Sequence, residues 1–197
     1  MEVRMEIKIT EINRVFSESG AVLLAASLDS LAFEGGKGSG RAEKYYREIN
    51  DRYLDSLEKA VFPRLQGAYI SSPDPKVRFK YKRIDFSHRI TVQNKTAKYI
   101  SVTRTVTMKK RGREIAYRLS GDVISQKSGR LLPVNLFISR IRLFRLGRRL
   151  KKTLGERVKL SSFYINSEVQ IVLIYSSEKN VYECRVCGEV LTKRRKQ

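Results

Sequence analysis

The sequence has little of several residue types that mark whole classes of protein. Two cysteines and one histidine occur in 197 residues. Two cysteines do not make a disulfide framework. A closed zinc site needs four ligands, so it would have to add a carboxylate or a second chain. Four prolines and no long polar tract argue against an interdomain linker.

Long apolar runs and familiar catalytic motifs are also missing. No run approaches the roughly 18 apolar residues of a spanning helix. The N-terminus, MEVRMEIKITEI, lacks the basic and apolar regions of a secretory signal. We therefore expect a soluble, cytoplasmic protein with no transmembrane segment. The sequence has no GxSxG, no HExxH and no convincing carboxylate pair, so we expect no catalytic residues and no enzyme.

What is present in quantity is positive charge. Lys and Arg number 41 against 20 Asp and Glu, which gives a net charge of +21. Such an excess favours polyanions as partners, including nucleic acid, anionic lipid or an acidic protein. A generally basic surface without a dedicated partner is the alternative. The apolar fraction of 41% is sufficient for a core, and we expect one domain over residues 1–186 followed by a basic tail over 187–197.

Hydrophobic periodicity predicts an α+β fold, with a mostly antiparallel sheet packed by one long helix in the N-terminal half and a shorter basic helix. A strand is expected at the N-terminus. Residues 21–33 are apolar and less periodic, which suits a buried strand or a short helix, and we favour the strand. The long helix is expected over 41–66, with Pro63 ending or bending it. Its apolar stripe should lie on the sheet: Tyr46, Ile49, Tyr53, Leu57, Val61 and Leu65.

The segment 99–123 predicts a β-hairpin with a two-residue turn at Arg111-Gly112. Continuous pairing from that turn places Val102 opposite Gly121 and Arg104 opposite Leu119. One face is then apolar and the other mostly polar. Arg104 is the exception on the apolar face, and we expect its stem to pack while its head reaches water. A role in contacting a ligand is the alternative.

Residues 77–92 predict a long strand whose apolar phase changes, which a bulge near Lys82-Arg83 would explain. His88 falls on the apolar side of its second half. We expect a hydrogen-bonded core histidine there, rather than a ligand or a base. Further strands are expected over 169–175 and 181–186, and a frayed basic tail.

A basic helix is predicted over 136–154. Leu136, Leu143, Leu146, Leu150 and Leu154 share one side. Phe137, Ile138, Ile141 and Phe144 widen the apolar surface, with Phe144 either in the core or available for stacking, and Gly147 could kink the helix. The candidate nucleic-acid or anion-binding residues on the other side are Arg142, Arg145, Arg148, Arg149, Lys151 and Lys152. The hairpin tip adds Lys109, Lys110, Arg111 and Arg113, and the tail adds residues 193–196. If these sets converge they form a phosphate-binding surface.

Cys184 and Cys187 form a CxxCG turn, the second candidate site. This spacing suits a zinc knuckle, but a second CxxC is missing. Zinc as cofactor would therefore need His88 and a carboxylate, or two cysteines from another chain. Redox chemistry and plain unligated thiols are the other interpretations.

Four stretches together resemble the RsiV-like domain family. They are YYREIN with Tyr53, ISVTR, SGDVISQKSGRLLPVNLF and FYINSEVQIVLIY, and the resemblance covers roughly residues 1–186. The family comprises the extracytoplasmic domain of the anti-sigma-V factor and related uncharacterised bacterial proteins. It implies a helix packed on a mostly antiparallel sheet, a sensory or regulatory binding function and no catalytic residues.

The resemblance also implies lysozyme as a partner, since the anti-sigma factor binds it. Lysozyme is strongly basic, and a receptor with a charge of +21 would repel it. We therefore expect a different, acidic partner, either a protein or another polyanion. The alternatives are electrostatic nucleic-acid binding through the 140–152 helix and a zinc or thiol protein.

Overall fold

The computed structural model describes residues 5–72, 83–186, 188 and 190–195. A five-stranded sheet has the order β1-β2-β3-β4-β5, and a four-stranded sheet has the order β6-β7-β8-β9. In chain order the elements are β1 (Glu6–Glu18), β2 (Ala21–Glu34), α1 (Ser39–Ser56), a π-helical turn (Leu57–Val61), α2 (Phe62–Ile70), β3 (Ile84–Lys95), β4 (Tyr99–Lys110), β5 (Arg113–Ser125), a 3₁₀ turn (Val134–Leu136), α3 (Arg140–Leu154), β6 (Lys159–Ile165), β7 (Ile171–Ser176), β8 (Asn180–Arg185) and β9 (Val190–Arg195).

The fold class is α+β, as the sequence predicts. Neighbouring strands are antiparallel except β2 and β3, which pair in parallel. The helical segment between β2 and β3 makes this possible, because a parallel pair needs a long crossover connection. The strands expected at 21–33, 169–175 and 181–186 correspond to β2, β7 and β8. The sequence predicts one sheet, whereas the structure has two.

The long helix packs its predicted apolar stripe on the first sheet. Tyr46 and Ile49 join a core cluster with strand residues that include Ile90 and Val102. Leu57, with Val61 and Leu65 packed beside it, joins a second cluster on β2 and β3. This face of the sheet is thus covered by the helix, and the residues of α1 that touch it are fixed in the core.

Pro63 does not end the helix. The expected end at residue 66 is wrong, because the helical path continues to Ile70 through a π-helical turn, Leu57–Val61. Proline has no N–H and cannot complete the regular pattern of hydrogen bonds. It lies at the start of α2, a position at which proline is well tolerated. The π turn immediately before it supplies an alternative bonding pattern.

The hairpin turn is confirmed, but the predicted strand register is wrong. Arg111 and Gly112 have φ of 57° and 74°, as a type I′ turn requires. A bulge between Met108 and Lys109 then shifts the pairing by one residue. Arg104 therefore pairs with Ser120, not Leu119, and Val102 pairs with Asp122, not Gly121. The polar and apolar faces expected for β5 are exchanged.

Both faces of β5 are covered by other elements, so apolar side chains on either face are buried. Ile124 packs in the core under α1, whereas Val123 packs in the core of the second sheet. Gly121 is the point of closest approach. A Cβ added there would lie 2.5 Å from the carbonyl oxygen of Phe163 on β6. Any residue with a Cβ would clash at this point, so only glycine allows the backbones of β5 and β6 to come so close.

The second sheet and α3 form a separate core. It contains Ile138, Leu146, Leu150, Tyr182 and Cys184 among its buried members.

The C-terminal residues 190–195 form β9, which pairs with β8, so this part is a strand and not the expected frayed tail. The first part of the strand expected at 77–92 lies outside the described residues, as does Lys82 of the bulge proposed near Lys82-Arg83. Within the described part of the chain, no helix has the length and apolarity needed to cross a bilayer.

Candidate anion-binding surface on the basic helix

Local sequence signals fix both ends of α3. The hydroxyl of Ser139 accepts a hydrogen bond from the backbone N–H of Arg142, 3.3 Å away, and caps the N-terminus. Gly155 ends the helix with a left-handed φ of 67°, and its N–H donates to the carbonyl of Lys151 at 3.1 Å. The helix therefore begins at residue 140, later than the predicted 136, and runs through Gly147 to residue 154.

The leucine side of α3 is anchored in the core of the second sheet. Leu146 and Leu150 are 7% and 1% exposed, and Leu143 and Leu154 pack beside them. Four leucines at three- and four-residue spacing form one stripe. The orientation of the helix is thereby fixed, and so is the direction in which its opposite side faces.

The opposite side of α3 carries the predicted basic residues. All of them are exposed, and so is the neighbouring Arg140: Arg142, Arg145, Arg148, Arg149, Lys151 and Lys152. The helix contains no acidic residue. Ile141, Arg145, Arg148 and Lys152 follow one another at three- or four-residue steps, directly opposite the leucines. Lys151 and Lys152 also lie in the last turn, where the helix dipole favours positive charge.

Three large apolar residues near these cations are exposed to solvent. Leu136, Ile141 and Phe144 are 65%, 66% and 66% exposed. The prediction that Leu136 shares the leucine stripe is wrong, because the 3₁₀ turn before Ser139 changes the helical phase. A core position for Phe144 is also wrong. Exposed apolar side chains inside a basic surface point to a binding surface.

The basic surface is organised around Phe144 and Arg148. The guanidinium carbon of Arg148 lies 5.8 Å from the centroid of the Phe144 ring, within the range of a cation–π contact. Arg148, Arg149, Lys151 and Lys152 line a concave region of about 730 Å³. Four cations grouped on one open surface attract an anionic group such as a phosphate, sulfate or carboxylate.

The basic residues of the hairpin tip do not join this surface. Lys109, Lys110, Arg111 and Arg113 are exposed, but they lie at one end of the hairpin. The core under α3 includes Val123 of β5, which is about 30 Å from Arg113 at the usual rise per residue. The two sets thus form separate basic regions. Exposed apolar residues accompany both, but those of α3 are the more exposed: Ile141 and Phe144 are each 66% exposed, against 37% for Ile115 at the hairpin tip.

The basic residues of β9 have other neighbours. Lys193 lies 5.7 Å from the centroid of the Tyr182 ring, and Arg194 lies 4.4 Å from that of Tyr117. Tyr117 belongs to β5, so Arg194 connects the second sheet to the first. Cation–π contacts account for both residues as parts of the fold.

Cys184 lies in the core and Cys187 lies outside the described residues. Cys184 is 1% exposed, and burial followed by the nearby Glu183 raises the pKa of its thiol to about 11. No group of three or more metal-ligating side chains converges within the ranges that the structure describes. His88 packs under α1 in the first sheet, away from the core that holds Cys184. Zinc or thiol chemistry at these cysteines stays a prediction.

His88 is a core residue, as the sequence predicts. It is fully buried, and its Nδ1 lies 2.9 Å from Oδ1 of Asn50 on α1. Burial, assisted by the positive charge of Arg104, lowers the pKa of His88 to about 4. Nε2 has no hydrogen-bond partner among the described residues. The neutral imidazole is therefore the form that suits the fold.

Arg104 is buried in an ion pair, so the prediction that its head reaches water is wrong. Its side chain is 12% exposed, and its Nε donates to Oδ2 of Asp122 at 2.6 Å. The hydroxyl of Tyr46 on α1 donates to the same oxygen at 3.2 Å. The bulge that exchanges the faces of β5 also turns Asp122 toward Arg104. In the observed register Asp122 lies two residues from Ser120, the residue that pairs with Arg104, whereas the predicted register places Asp122 on the opposite face.

No family model matches the sequence, and no curated protein matches it. Among solved structures, the chain is similar to a DUF3298 family protein from Pseudomonas aeruginosa PAO1, with 9% identity, a TM-score of 0.50 and coverage of 95% of this chain and 94% of that one. It is also similar to a DUF3298 family member from Bacteroides fragilis, with 9% identity, a TM-score of 0.49 and coverage of 78% and 69%. The likeness to the Pseudomonas protein concerns the fold alone: an α+β domain of DUF3298-like architecture.

Proposed function

We propose that the chain is a non-catalytic binding domain of RsiV-like type that recognises an acidic partner through the exposed side of α3. The observation that carries this proposal is the division of α3 into two sides. The leucines are locked in the core, whereas the basic side chains are exposed. A helix fixed in this way holds the backbone of its cationic residues in place before the partner arrives, so only their side chains have to be ordered on binding.

Two buried titratable residues, His88 and Asp122, support a binding role over a catalytic one. His88 is held by Asn50 in the core, and Asp122 is held by Arg104 and Tyr46. These contacts give both residues a structural role in the fold. The exposed charged groups are predominantly basic, in line with the net charge of +21.

Heparin, a soluble polyanion, provides the test. The protein should bind heparin at low salt, and the affinity should fall steeply as salt rises because bound cations are displaced and released. The double variant Arg145→Glu/Arg148→Glu should lose at least about tenfold in affinity. Unchanged affinity in this variant would refute the role of α3. Circular dichroism and thermal unfolding would establish that the variant is folded.

Nucleic acid is the second candidate partner, and the exposed ring of Phe144 favours it. The ring is 66% exposed and lies beside Arg148, an arrangement that could stack a base. A fluorescent single-stranded oligonucleotide should then bind in a salt-dependent manner. Replacing Phe144 by leucine keeps the apolar character but removes the aromatic face, so it should weaken binding roughly fivefold or more. An affinity unchanged by this substitution would exclude stacking.

A further inference from the structure

The exposed apolar residues of α3 are the feature that a purely electrostatic partner does not use. Leu136, Ile141 and Phe144 are about two-thirds exposed, so keeping them in water is unfavourable. Ile141 and Phe144 are three residues apart and neighbours on the helix surface. Arg145 and Arg148 follow them one turn later. Apolar and cationic side chains thus share one outward-facing surface.

We propose that α3 docks on an anionic lipid bilayer, with Ile141 and Phe144 entering the headgroup boundary and the arginines holding lipid phosphates. The inference rests on the proposed function, because it names the acidic partner of the same surface. A helix rich in Arg and Lys with apolar side chains beside them is the arrangement found in interfacial helices. The leucine stripe is already buried, so α3 would lie along the membrane plane as part of the folded domain.

The chemistry of the exposed residues favours lipid over nucleic acid. Ile141 and Leu136 are aliphatic and offer no face on which a base can stack, whereas acyl chains accept any apolar side chain. Arginine suits the boundary because its stem is apolar and its head reaches the phosphates. The contact of Arg148 with the Phe144 ring places a cation at the level at which the ring would meet the headgroups.

The cationic side chains are also distributed as a membrane contact requires. Arg145, Arg148 and Lys152 continue the outward stripe that begins at Ile141, and Lys151 lies beside it. Lys151 and Lys152 line the concave region with Arg148 and Arg149, which could take a phosphate headgroup. Each cation near an anionic membrane surface adds to the attraction, and the net charge of +21 acts in the same direction.

Vesicle sedimentation tests the proposal directly. The whole chain should bind vesicles of mixed phosphatidylcholine and phosphatidylglycerol, and should bind pure phosphatidylcholine at least about tenfold more weakly. Ile141→Ser/Phe144→Ser should lose about tenfold or more of the affinity for mixed vesicles. Ile9→Ser/Val15→Ser, which alters exposed apolar residues of β1, is the matched control and should bind as the wild type does.

Fluorescence provides an independent measurement. The sequence contains no tryptophan, so Phe144→Trp introduces a single reporter on α3. Its emission should shift to shorter wavelength with mixed vesicles, and should stay unchanged with soluble glycerol phosphate or an oligonucleotide. Phe144→Leu should bind vesicles within about twofold of the wild type, because lipid insertion needs apolar area and not an aromatic face.

The outcomes separate the two proposals. Binding to heparin without binding to mixed vesicles would overturn the lipid proposal and leave the proposed function in place. An oligonucleotide affinity that falls in Phe144→Leu, with no vesicle binding, would assign the surface to nucleic acid. Failure to bind heparin, oligonucleotide and vesicles at low salt would overturn both proposals.

Discussion

Arg104 and Asp122 form a buried ion pair beneath α1, with 2.6 Å between Nε and Oδ2 and side chains only 12% and 8% exposed. They lie on adjacent strands, and the bulge at Met108/Lys109 brings them to one face. The hydroxyl of Tyr46 completes the arrangement. The pair therefore connects the hairpin to the long helix.

Removing one member of this pair should destabilise the fold. Arg104→Met leaves the carboxylate of Asp122 buried without its cation, and we expect a loss of roughly 3–5 kcal/mol in the free energy of unfolding. Urea denaturation measures it. Arg118→Met, at an exposed position of β5, should change stability by about 0.5 kcal/mol or less. Equal losses in the two variants would contradict a special role for the pair.

His88 should make the protein sensitive to mild acid. The unfolded chain takes up a proton near the ordinary pKa of 6.5, whereas the folded chain does so near 4. Protons thus bind the unfolded state preferentially, and stability is lost as the pH falls from about 6.5 toward 4. We expect a loss of about 2 kcal/mol by pH 5 from this group. Urea denaturation of the wild type and His88→Gln at pH 7 and 5 isolates it, because the variant should lose about 2 kcal/mol less.

Gly121 and Gly147 should respond to alanine in opposite directions. A Cβ at Gly121 would lie 2.5 Å from the oxygen and 2.7 Å from the carbonyl carbon of Phe163, both backbone atoms. We expect Gly121→Ala to cost about 1–3 kcal/mol. Gly147 has nothing within 4 Å of its added Cβ, so Gly147→Ala should stabilise α3 by roughly 0.5–1 kcal/mol. Thermal unfolding of the pair would refute the close approach of β5 and β6 if both variants gained stability.

The thiol of Cys184 should be unreactive in the native protein. It is buried, and its pKa is raised to about 11, so little thiolate exists at pH 8. The variant Cys187→Ser leaves Cys184 as the single thiol. A thiol reagent should label it slowly in buffer and rapidly in urea. Fast labelling of the folded variant would contradict the burial, and zinc in elemental analysis of the wild type would support the metal hypothesis.

Local signals in the sequence predict much of this fold, and long-range packing accounts for the differences. The Arg111-Gly112 turn and the apolar stripe of α1 follow from local spacing. The bulge at Met108/Lys109 does not follow from local spacing. Because β5 is buried on both faces, the order of its apolar and polar residues does not identify a single buried face. Gly121 likewise has no local signature, since its role depends on β6, some forty residues later along the chain.

The candidate site shows the same division. The basic residues of α3 follow from the helical wheel, and the structure confirms that they are exposed. The exposure of Phe144 also agrees with the helical wheel, because its ring lies roughly 115° from the centre of the leucine stripe. The neighbouring apolar residues Phe137 and Ile138 made a wider apolar side look possible. The separation of the hairpin tip from α3 depends on how the second sheet packs across β5, which periodicity does not reveal.

The most direct test of an acidic partner at α3 compares two variants of equal charge. Arg145→Glu/Arg148→Glu on α3 and Arg41→Glu/Arg47→Glu on the exposed side of α1 each lower the net charge from +21 by two units per substitution. Heparin affinity at low salt should fall at least about tenfold in the α3 variant and less than about threefold in the α1 variant. Equal losses would mean that net charge alone attracts polyanions, and would contradict a binding surface on α3.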